Sequence, residues 1–307
     1  MMPGSSIEAI GNTPLVELES VRPEGGARIF AKWEGANPTG SMKDRMALSM
    51  IRGAEADGAL HAGQHVIEFT GGSTGSSLAL ICAVEGYPLT LLTADCFAEE
   101  KIRTMEALGA TVEVLETPDR KVYPGLFDRF HQRLDELAPD LDAYFTDQFT
   151  NEHHPEGYRQ LGSEIVADCP SISDFVMGVG TGGCVVGTTA GIRADRADVA
   201  VTVVEPAESP ILTEGESGAH TIEGVATGFR PPFLDAISYD EAIAVPERIA
   251  RQYARTVARS DGLFAGASTG MNVAAAVEVA RKRRSRDAVV TVAVDTGLKY
   301  LHGDLYR

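Results

Sequence analysis

The chain alternates from end to end between short apolar segments and longer segments with helical periodicity. The apolar runs "HVIEF" (65–69), "LTLLTA" (89–94), "TVEVLE" (111–116), "DFVMGVG" (174–180), "VAVTVVEP" (199–206) and "AVVTVAVD" (288–295) predict buried strands. Between them, segments such as "SSLALICAVEG", "EEKIRTMEALG" and "GMNVAAAVEVARKRR" predict helices, the first two ended by Gly86 and Gly109. Because strands separated by helices require crossover connections, the pattern predicts an α/β fold with parallel-rich sheets flanked by helices.

This rhythm is interrupted near "YFTDQFTNEHHPEGY" (144–158), and a second strand–helix series follows. A chain of 307 residues is long for one core, so the interruption predicts two α/β lobes. The basic run "RKRRSR" (281–286) lies at the end of a predicted helix, where cations complement the helix dipole.

Charge and composition limit the classes of function. With 27 basic and 44 acidic residues the formal net charge is −17, which disfavours binding to nucleic acid or to anionic membrane surfaces. No apolar run approaches the roughly 18 residues of a membrane span. The four cysteines (Cys82, Cys96, Cys169 and Cys184) form no CxxC pair, and the first residues show no secretory signal. We therefore expect a cytoplasmic protein without a disulfide framework or a structural zinc site.

Two glycine-rich turns follow predicted strands and open predicted helices: "TGGSTGSS" (70–77) and "GVGTGGCVVG" (178–187). Small residues at such turns let the backbone N–H groups approach an anionic ligand. The second turn also fits the dinucleotide pattern, because Gly178, Gly180 and Gly183 are followed by Glu205 at the end of the next strand. The residues alone thus leave an NAD-dependent oxidoreductase open, whereas neither turn has the Gly-Lys-Ser/Thr ending of a P-loop.

Several segments resemble, in order, those of one enzyme family. They are "GNTPLVEL" near the start, "NPTGSMKDR" (37–45), "DQFTN" (147–151), "GVGTGG" (178–183), "VEPAESPIL" (204–212), "IEGVATGF" (222–229), "AGASTG" (265–270) and "DTGLKYL" (295–301). The chain resembles the cysteine synthase and cystathionine β-synthase family of fold-type II pyridoxal phosphate enzymes, which share the fold of the tryptophan synthase β-chain. The resemblance implies a smaller mobile domain over 38–145. It also implies a larger domain, made of 1–37 and 146–307, that holds most of the cofactor site.

The resemblance assigns the cofactor-binding residues. Lys43 would form the Schiff base with pyridoxal phosphate and act as the catalytic base, which a partly desolvated amine can do. Thr296 would place its hydroxyl against the pyridine nitrogen. The cofactor phosphate would lie on the second glycine turn, at Gly180, Thr181, Gly182, Gly183 and Cys184. Cys184 stands where the family usually has threonine, so one hydroxyl contact to the phosphate is missing.

The first glycine turn is implied to bind the α-carboxylate of the substrate. The residues are Thr70, Gly71, Gly72, Ser73 and Thr74, with Gln148 as a second carboxylate ligand. The family usually reads Thr-Ser-Gly-Asn-Thr-Gly here, so Gly71 replaces a serine. Ser73 replaces an asparagine that contacts the cofactor, and serine is shorter and offers one donor.

The implied reaction is β-replacement on an activated serine, with O-acetyl-L-serine and sulfide giving L-cysteine and acetate as the family default. The altered substrate turn leaves other β-elimination or β-replacement reactions open, including those of a cystathionine β-synthase, a cysteine desulfhydrase or a diamino-acid synthase. An NAD-dependent oxidoreductase and a non-catalytic ligand-binding homologue are the alternatives from other classes. The resemblance also implies a homodimer, whose interface the sequence does not identify.

Two further groups of polar residues could bind a ligand. His153, His154 and Glu156 could suggest a metal site, but two adjacent histidines and an intervening proline give poor ligand geometry, so no metal is expected. Arg230 follows "VATGF" and could meet an acidic substrate group, although a surface arginine is the simpler interpretation.

Overall fold

The computed structural model describes residues 4–120 and 125–307. Contacts within the chain define two compact units. The first unit comprises Met1–Ile10 and Lys43–Gly157, and the second comprises Gly11–Met42 and Tyr158–Arg307. The predicted division into a mobile domain over 38–145 and a larger domain stays a prediction.

The strands and helices follow the predicted alternation. Within the described residues the strands are β1 (Leu15–Glu17), β2 (Arg28–Trp33), β3 (Val66–Phe69), β4 (Leu89–Ala94), β5 (Thr111–Leu115), β6 (Tyr144–Phe145), β7 (Ile172–Gly178), β8 (Ala200–Pro206), β9 (Glu241–Val245) and β10 (Ala288–Ala293). The α-helices are α1 (Lys43–Ala56), α2 (Ser73–Glu85), α3 (Glu99–Ala107), α4 (Leu126–Leu141), α5 (His153–Glu156), α6 (Arg159–Asp168), α7 (Gly183–Asp195), α8 (Glu247–Ser260) and α9 (Ala267–Arg281).

The first unit contains a parallel sheet in the order β5-β4-β3-β6. Strands β3 and β4 are buried at every position, which is why they read as apolar runs in the sequence. Phe69 of β3 packs against an aromatic group from α4 and the segment after β6, including Phe130 at 5.4 Å between ring centroids. This core fixes the carboxyl end of β3, from which the first glycine turn begins.

The second unit contains a sheet in the order β1-β2-β10-β7-β8-β9. All neighbouring strands are parallel except β1, which runs antiparallel to β2 at the edge. Helix α9 is buried along nearly its whole length, from Ala267 to Ala280, and its small side chains belong to the core of this unit. The predicted α/β class with parallel-rich sheets and flanking helices is confirmed.

The basic run 281–286 begins at the last residue of α9, as the sequence predicted. Its side chains form ion pairs within the second unit: Lys282 with Glu241 at 2.6 Å and Arg283 with the buried Asp174 at 2.7 Å. None of the helices in the described part of the chain is both long enough and apolar enough to cross a membrane.

Candidate active site

In the first unit, Lys43 is the first residue of α1. Asp44, next to it, is fully buried in the first turn, where a carboxylate complements the helix dipole. Its Oδ1 accepts a hydrogen bond of 2.6 Å from Ser77 Oγ, one turn beyond the start of α2. The starts of α1 and α2 are thereby held together, and this brings Lys43 to the side of the unit that carries the first glycine turn.

The first glycine turn is folded around the buried side chain of Thr70. Thr70 Oγ1 accepts hydrogen bonds from the backbone N–H groups of Gly72 (2.9 Å) and Gly75 (3.2 Å). Gly72 precedes α2 with a φ of 130°, and a Cβ there would lie 2.3 Å from Lys101 Cδ, so only glycine fits. Helix α2 has no acidic residue in its first turn, and the N–H groups at its start are suited to an anion.

Gln148 is fixed at both its backbone and its side chain. Its Oε1 accepts from Thr74 Oγ1 (2.7 Å), and its Nε2 donates to the carbonyl of Phe69 (3.0 Å). Its backbone N–H donates to Glu68 Oε2 (3.1 Å), and its carbonyl accepts from His154 Nδ1 (2.6 Å). The second hydrogen on Nε2 has no acceptor among the described residues, so the amide is oriented with one donor to offer.

Two buried ionisable groups support Gln148. Burial raises the pKa of Glu68 to about 8, against the lowering effect of hydrogen bonds from Thr146, Phe69 and Gln148. Burial, together with the positive charge of Lys43, lowers the pKa of His154 to about 3. Both side chains are therefore neutral at pH 7, and the neutral imidazole donates from Nδ1 because its partner is a carbonyl.

In the second unit, the turn after β7 allows a close approach of backbone to backbone. A Cβ on Gly180 would lie 2.3 Å from the carbonyl oxygen of Gly224. The N–H of Ala226 donates to the carbonyl of Val179 (2.9 Å), which holds the two segments together. Gly182 caps α7 with a φ of 88°, and no acidic residue lies in the first turn of that helix. This backbone arrangement suits a phosphate group.

The side chains near this turn agree only partly with the family pattern. Thr181 and Cys184 are buried, and Cys184 Sγ lies 3.8 Å from Thr188 Oγ1, one turn along α7. A thiol is a weak donor, so Cys184 does not replace the hydroxyl of a threonine.

Thr296 lies at the end of the segment that follows β10. Its backbone N–H donates to the carbonyl of Gly40 (2.9 Å), and its Oγ1 accepts from the N–H of Leu298 (3.3 Å). Because this contact uses a lone pair, the hydroxyl hydrogen is left to donate to a ring nitrogen. The neighbouring Asp295 is buried, and its Oδ2 accepts from Tyr300 OH at 2.7 Å. Burial and the nearby Asp295 raise the pKa of Tyr300 well above its usual value.

The donor set of the predicted residues fits pyridoxal phosphate. It includes a primary amine for the aldehyde (Lys43), an N-terminal helix turn without acidic residues for the phosphate, and a hydroxyl donor for the ring nitrogen (Thr296). The first group lies in the first unit and the other two in the second.

Glu205 does not suit the dinucleotide alternative. Its Oε1 accepts from the N–H and the hydroxyl of Thr213 (2.9 and 2.8 Å), and its Oε2 accepts from the N–H of Leu212 (2.7 Å). The carboxylate is buried and caps the turn that follows β8. Both carboxylate oxygens are thus already hydrogen-bonded within the chain, which does not favour binding to a ribose hydroxyl.

The other candidate residues have local partners. His153 Nε2 lies 2.6 Å from Asp57 Oδ2, and Arg230 Nε lies 3.4 Å from Asp235 Oδ1. A Cβ on Gly71 would lie 3.2 Å from the ring of Phe97, so the glycine in place of the family serine is matched to this aromatic neighbour. In the described part of the chain, no three His, Cys, Asp or Glu side chains are grouped to hold a metal ion.

The residues that sequence reasoning missed are Glu68 and Thr146. Thr146 Oγ1 donates to Glu68 Oε2 at 2.5 Å, beneath the backbone of Gln148. The signal was present in "HVIEF", since a carboxylate within a fully buried strand requires specific partners.

Comparison with known proteins gives consistent matches over nearly the whole chain. Residues 7–297 match the family model described as "Pyridoxal-phosphate dependent enzyme". A "Probable cysteine synthase" of Bacillus subtilis (strain 168) is 37% identical over 308 residues, covering 98% of this chain and 97% of the relative. "O-ureido-L-serine synthase" of Streptomyces lavendulae is 34% identical, covering 98% of this chain and 92% of the relative.

Among solved structures, O-acetyl serine sulfhydrylase isoform 3 from Entamoeba histolytica superposes with a TM-score of 0.91. It is 30% identical, and the match covers 100% of this chain and 92% of that one. The family match, the full-length relatives and the shared fold agree with one another. The chain belongs to the family of pyridoxal-phosphate dependent enzymes.

Proposed function

We propose that this enzyme catalyses β-replacement on an activated serine and that it converts O-acetyl-L-serine and sulfide to L-cysteine and acetate. The names of the Bacillus subtilis and Entamoeba histolytica proteins support the reaction. The observation that carries the proposal is the fixed amide of Gln148, bonded to Thr74 and Phe69 beside the start of α2. An amide donor next to a helix N-terminus is the chemistry that recognises an α-carboxylate.

In this proposal the first unit binds and orients the amino acid. The N–H groups at the start of α2 and the remaining amide hydrogen of Gln148 would hold the α-carboxylate, which fixes the direction of the Cα–H bond. Lys43 Nζ would remove the Cα proton and later return it, as a general base and then a general acid. Pyridoxal phosphate supplies the electron sink that stabilises negative charge at Cα. Thr296 would donate its hydroxyl hydrogen to the ring, leaving the ring nitrogen without a full positive charge.

The test is cysteine formation from O-acetyl-L-serine and sulfide by the purified protein and by Lys43→Ala. Loss of the general base predicts a fall in kcat of about 10³-fold or more, with the circular dichroism spectrum unchanged. Lys282→Ala is the matched control, because Lys282 is half-exposed and pairs with Glu241 at the surface. A Lys43→Ala enzyme with near wild-type turnover would contradict the mechanism.

A second candidate is a related β-replacement with a different nucleophile. The name of the Streptomyces lavendulae relative denotes a product with oxygen, rather than sulfur, on the β-carbon. Gly71 and Ser73 also depart from the family pattern in the substrate turn. Parallel assays with O-acetylserine, O-phosphoserine and cysteine as amino-acid substrates, each with sulfide, homocysteine or hydroxylamine derivatives, separate the candidates by the product formed.

We also propose a homodimer that works in the cytoplasm on small molecules, without nucleic-acid or membrane partners. The net charge of −17 supports the last point. Light scattering coupled to size-exclusion chromatography tests the dimer: a mass of about twice the 32.6 kDa chain is expected, and a monomer at all concentrations would contradict it.

A further inference from the structure

Glu68 is the ionisable residue of β3, and its side chain is completely buried. Its Oε1 accepts from the N–H of Phe69 (2.9 Å). Its Oε2 accepts from Thr146 Oγ1 (2.5 Å) and from the N–H of Gln148 (3.1 Å). An inner strand of a parallel sheet normally carries apolar side chains on both faces, so this carboxyl group has a cost that three hydrogen bonds offset.

The position of the contacts suggests what the carboxyl group is for. Strand β6 pairs with β3 only through Tyr144 and Phe145. Beyond Phe145 the chain stays beside β3 through one backbone hydrogen bond, from Thr146 to Ile67, and then through Glu68. The carboxyl group therefore continues the alignment up to Gln148, where the side chain of Gln148 reaches the carbonyl of Phe69.

We propose that Glu68 is a positioning residue for substrate binding: by accepting the backbone N–H of Gln148 it holds the Gln148 amide where it meets Thr74 and the substrate carboxylate. The inference rests on the proposed function, since it assumes that Gln148 binds an α-carboxylate. Glu68 itself touches neither substrate nor cofactor in this proposal.

The variant Glu68→Gln removes one acceptor position. When the carboxyl group is ionised, its Oε2 accepts from Thr146 Oγ1; when it is protonated, the same contact is kept with Oε2 donating to Thr146 Oγ1 instead. In both forms Oε2 still accepts from Gln148 and Oε1 from Phe69. An amide can accept from Phe69 and donate to Thr146, but its –NH₂ cannot accept from Gln148. In this orientation the substitution replaces the Glu68–Gln148 hydrogen bond by two opposed donors at nearly constant volume. In the flipped orientation it opposes the N–H of Phe69 instead, so Glu68→Asp, which withdraws both oxygens from their partners, is tested beside it.

The experiment compares ligand binding to the wild-type and Glu68→Gln holoenzymes by isothermal titration calorimetry. L-alanine is the probe, because it has the α-carboxylate and no β-leaving group, and ethylamine is the matched amine without a carboxylate. We expect the Kd for L-alanine to rise about tenfold, the equivalent of one lost buried hydrogen bond, with the Kd for ethylamine unchanged. In turnover, KM for O-acetyl-L-serine should rise by the same factor while kcat changes less than twofold.

Thr146→Val is the matched control, because it removes the other hydrogen bond to Glu68 Oε2 and leaves the Gln148 contact in place. It should lower the melting temperature without changing the Kd for L-alanine. In a Gln148→Ala background, Glu68→Gln should have no further effect on that Kd, since the group it positions is absent. Should Glu68→Gln not fold, Glu68→Asp withdraws the carboxyl group by one methylene and should weaken L-alanine binding in the same way.

The two possible failures are distinct. Equal losses for L-alanine and ethylamine, or an unchanged Kd for L-alanine in both Glu68→Gln and Glu68→Asp, would overturn the role of Glu68 and leave the proposed function standing. A wild-type enzyme that binds L-alanine no better than ethylamine would overturn both.

Discussion

The buried Glu68 predicts a specific dependence of stability on pH. Its folded-state pKa is about 8, whereas an unfolded glutamate has the ordinary value of 4.5. Between these two values the folded chain holds a proton that the unfolded chain has lost, so unfolding releases a proton and stability falls as pH rises. The stabilisation is fully present below pH 4.5 and is lost as pH rises through about 8.

The useful window lies between pH 6.5 and 8. The pKa of His154 is lowered from 6.5 to about 3, so below pH 6.5 that residue changes stability in the opposite direction, since stability falls as pH falls. At pH 6.5 the unfolded imidazole is still half-charged, but this effect is the same in the wild-type protein and in a Glu68 variant and cancels between them. One pH unit corresponds to about 1.4 kcal/mol, so the contribution of Glu68 to the free energy of unfolding should fall by about 2 kcal/mol across this window.

The assay is urea unfolding of the apoprotein at pH 6.5, 7.25 and 8.0. Relative to Glu68→Gln, which cannot titrate, the wild-type protein should lose about 2 kcal/mol of stability from the lowest to the highest pH. Glu106→Gln, on the exposed face of α3, should keep the wild-type slope. Free energies of unfolding that change equally with pH in the wild-type protein and in Glu68→Gln would contradict a raised pKa for Glu68.

Three further predictions concern the second unit. Cys184→Thr should tighten pyridoxal phosphate binding by about tenfold, because the threonine adds a hydroxyl donor for the charged phosphate. An absorbance titration with the cofactor measures this affinity, and Cys184→Ala should show no gain. Gly180→Ala should weaken cofactor binding in the same titration by more than tenfold, since the added Cβ would lie 2.3 Å from the carbonyl of Gly224; an unchanged Kd would argue against the close approach. Glu205→Gln should lower the free energy of unfolding by about 1–3 kcal/mol, because it loses a hydrogen bond to Thr213 or Leu212, and the affinity for the cofactor should stay unchanged. Calorimetric titration of the wild-type enzyme with NAD should give no binding heat.

The fold was predictable where burial is uniform. The segment "LTLLTA" coincides with β4, because a strand covered on both faces is mostly apolar and its two threonines are β-branched residues that favour strands. The predicted family, α/β class and cofactor are confirmed by the family match and the relatives. The antiparallel edge strand β1 was not predicted, because three half-buried residues carry little pattern.

The site residues were predictable from the sequence only where the motif that holds them is a short continuous segment. Gly182 and Gly72, at helix starts with positive φ, were visible as glycine turns. The support of Gln148 depends on contacts with Thr74 and Phe69, which lie 74 and 79 residues away in the sequence. Spacing alone gave Glu205 a ribose-binding interpretation, whereas its actual partners are seven and eight residues further on.

In the proposed mechanism Lys43 carries pyridoxal phosphate and moves the Cα proton. Reduction of the purified enzyme with borohydride, followed by proteolysis and peptide mass spectrometry, tests it most directly, because reduction makes any imine between a lysine and the cofactor permanent. We expect a pyridoxyl phosphate modification on Lys43, lost when O-acetyl-L-serine is added before the reductant. A modification on another lysine, or none after incubation with pyridoxal phosphate, would contradict it.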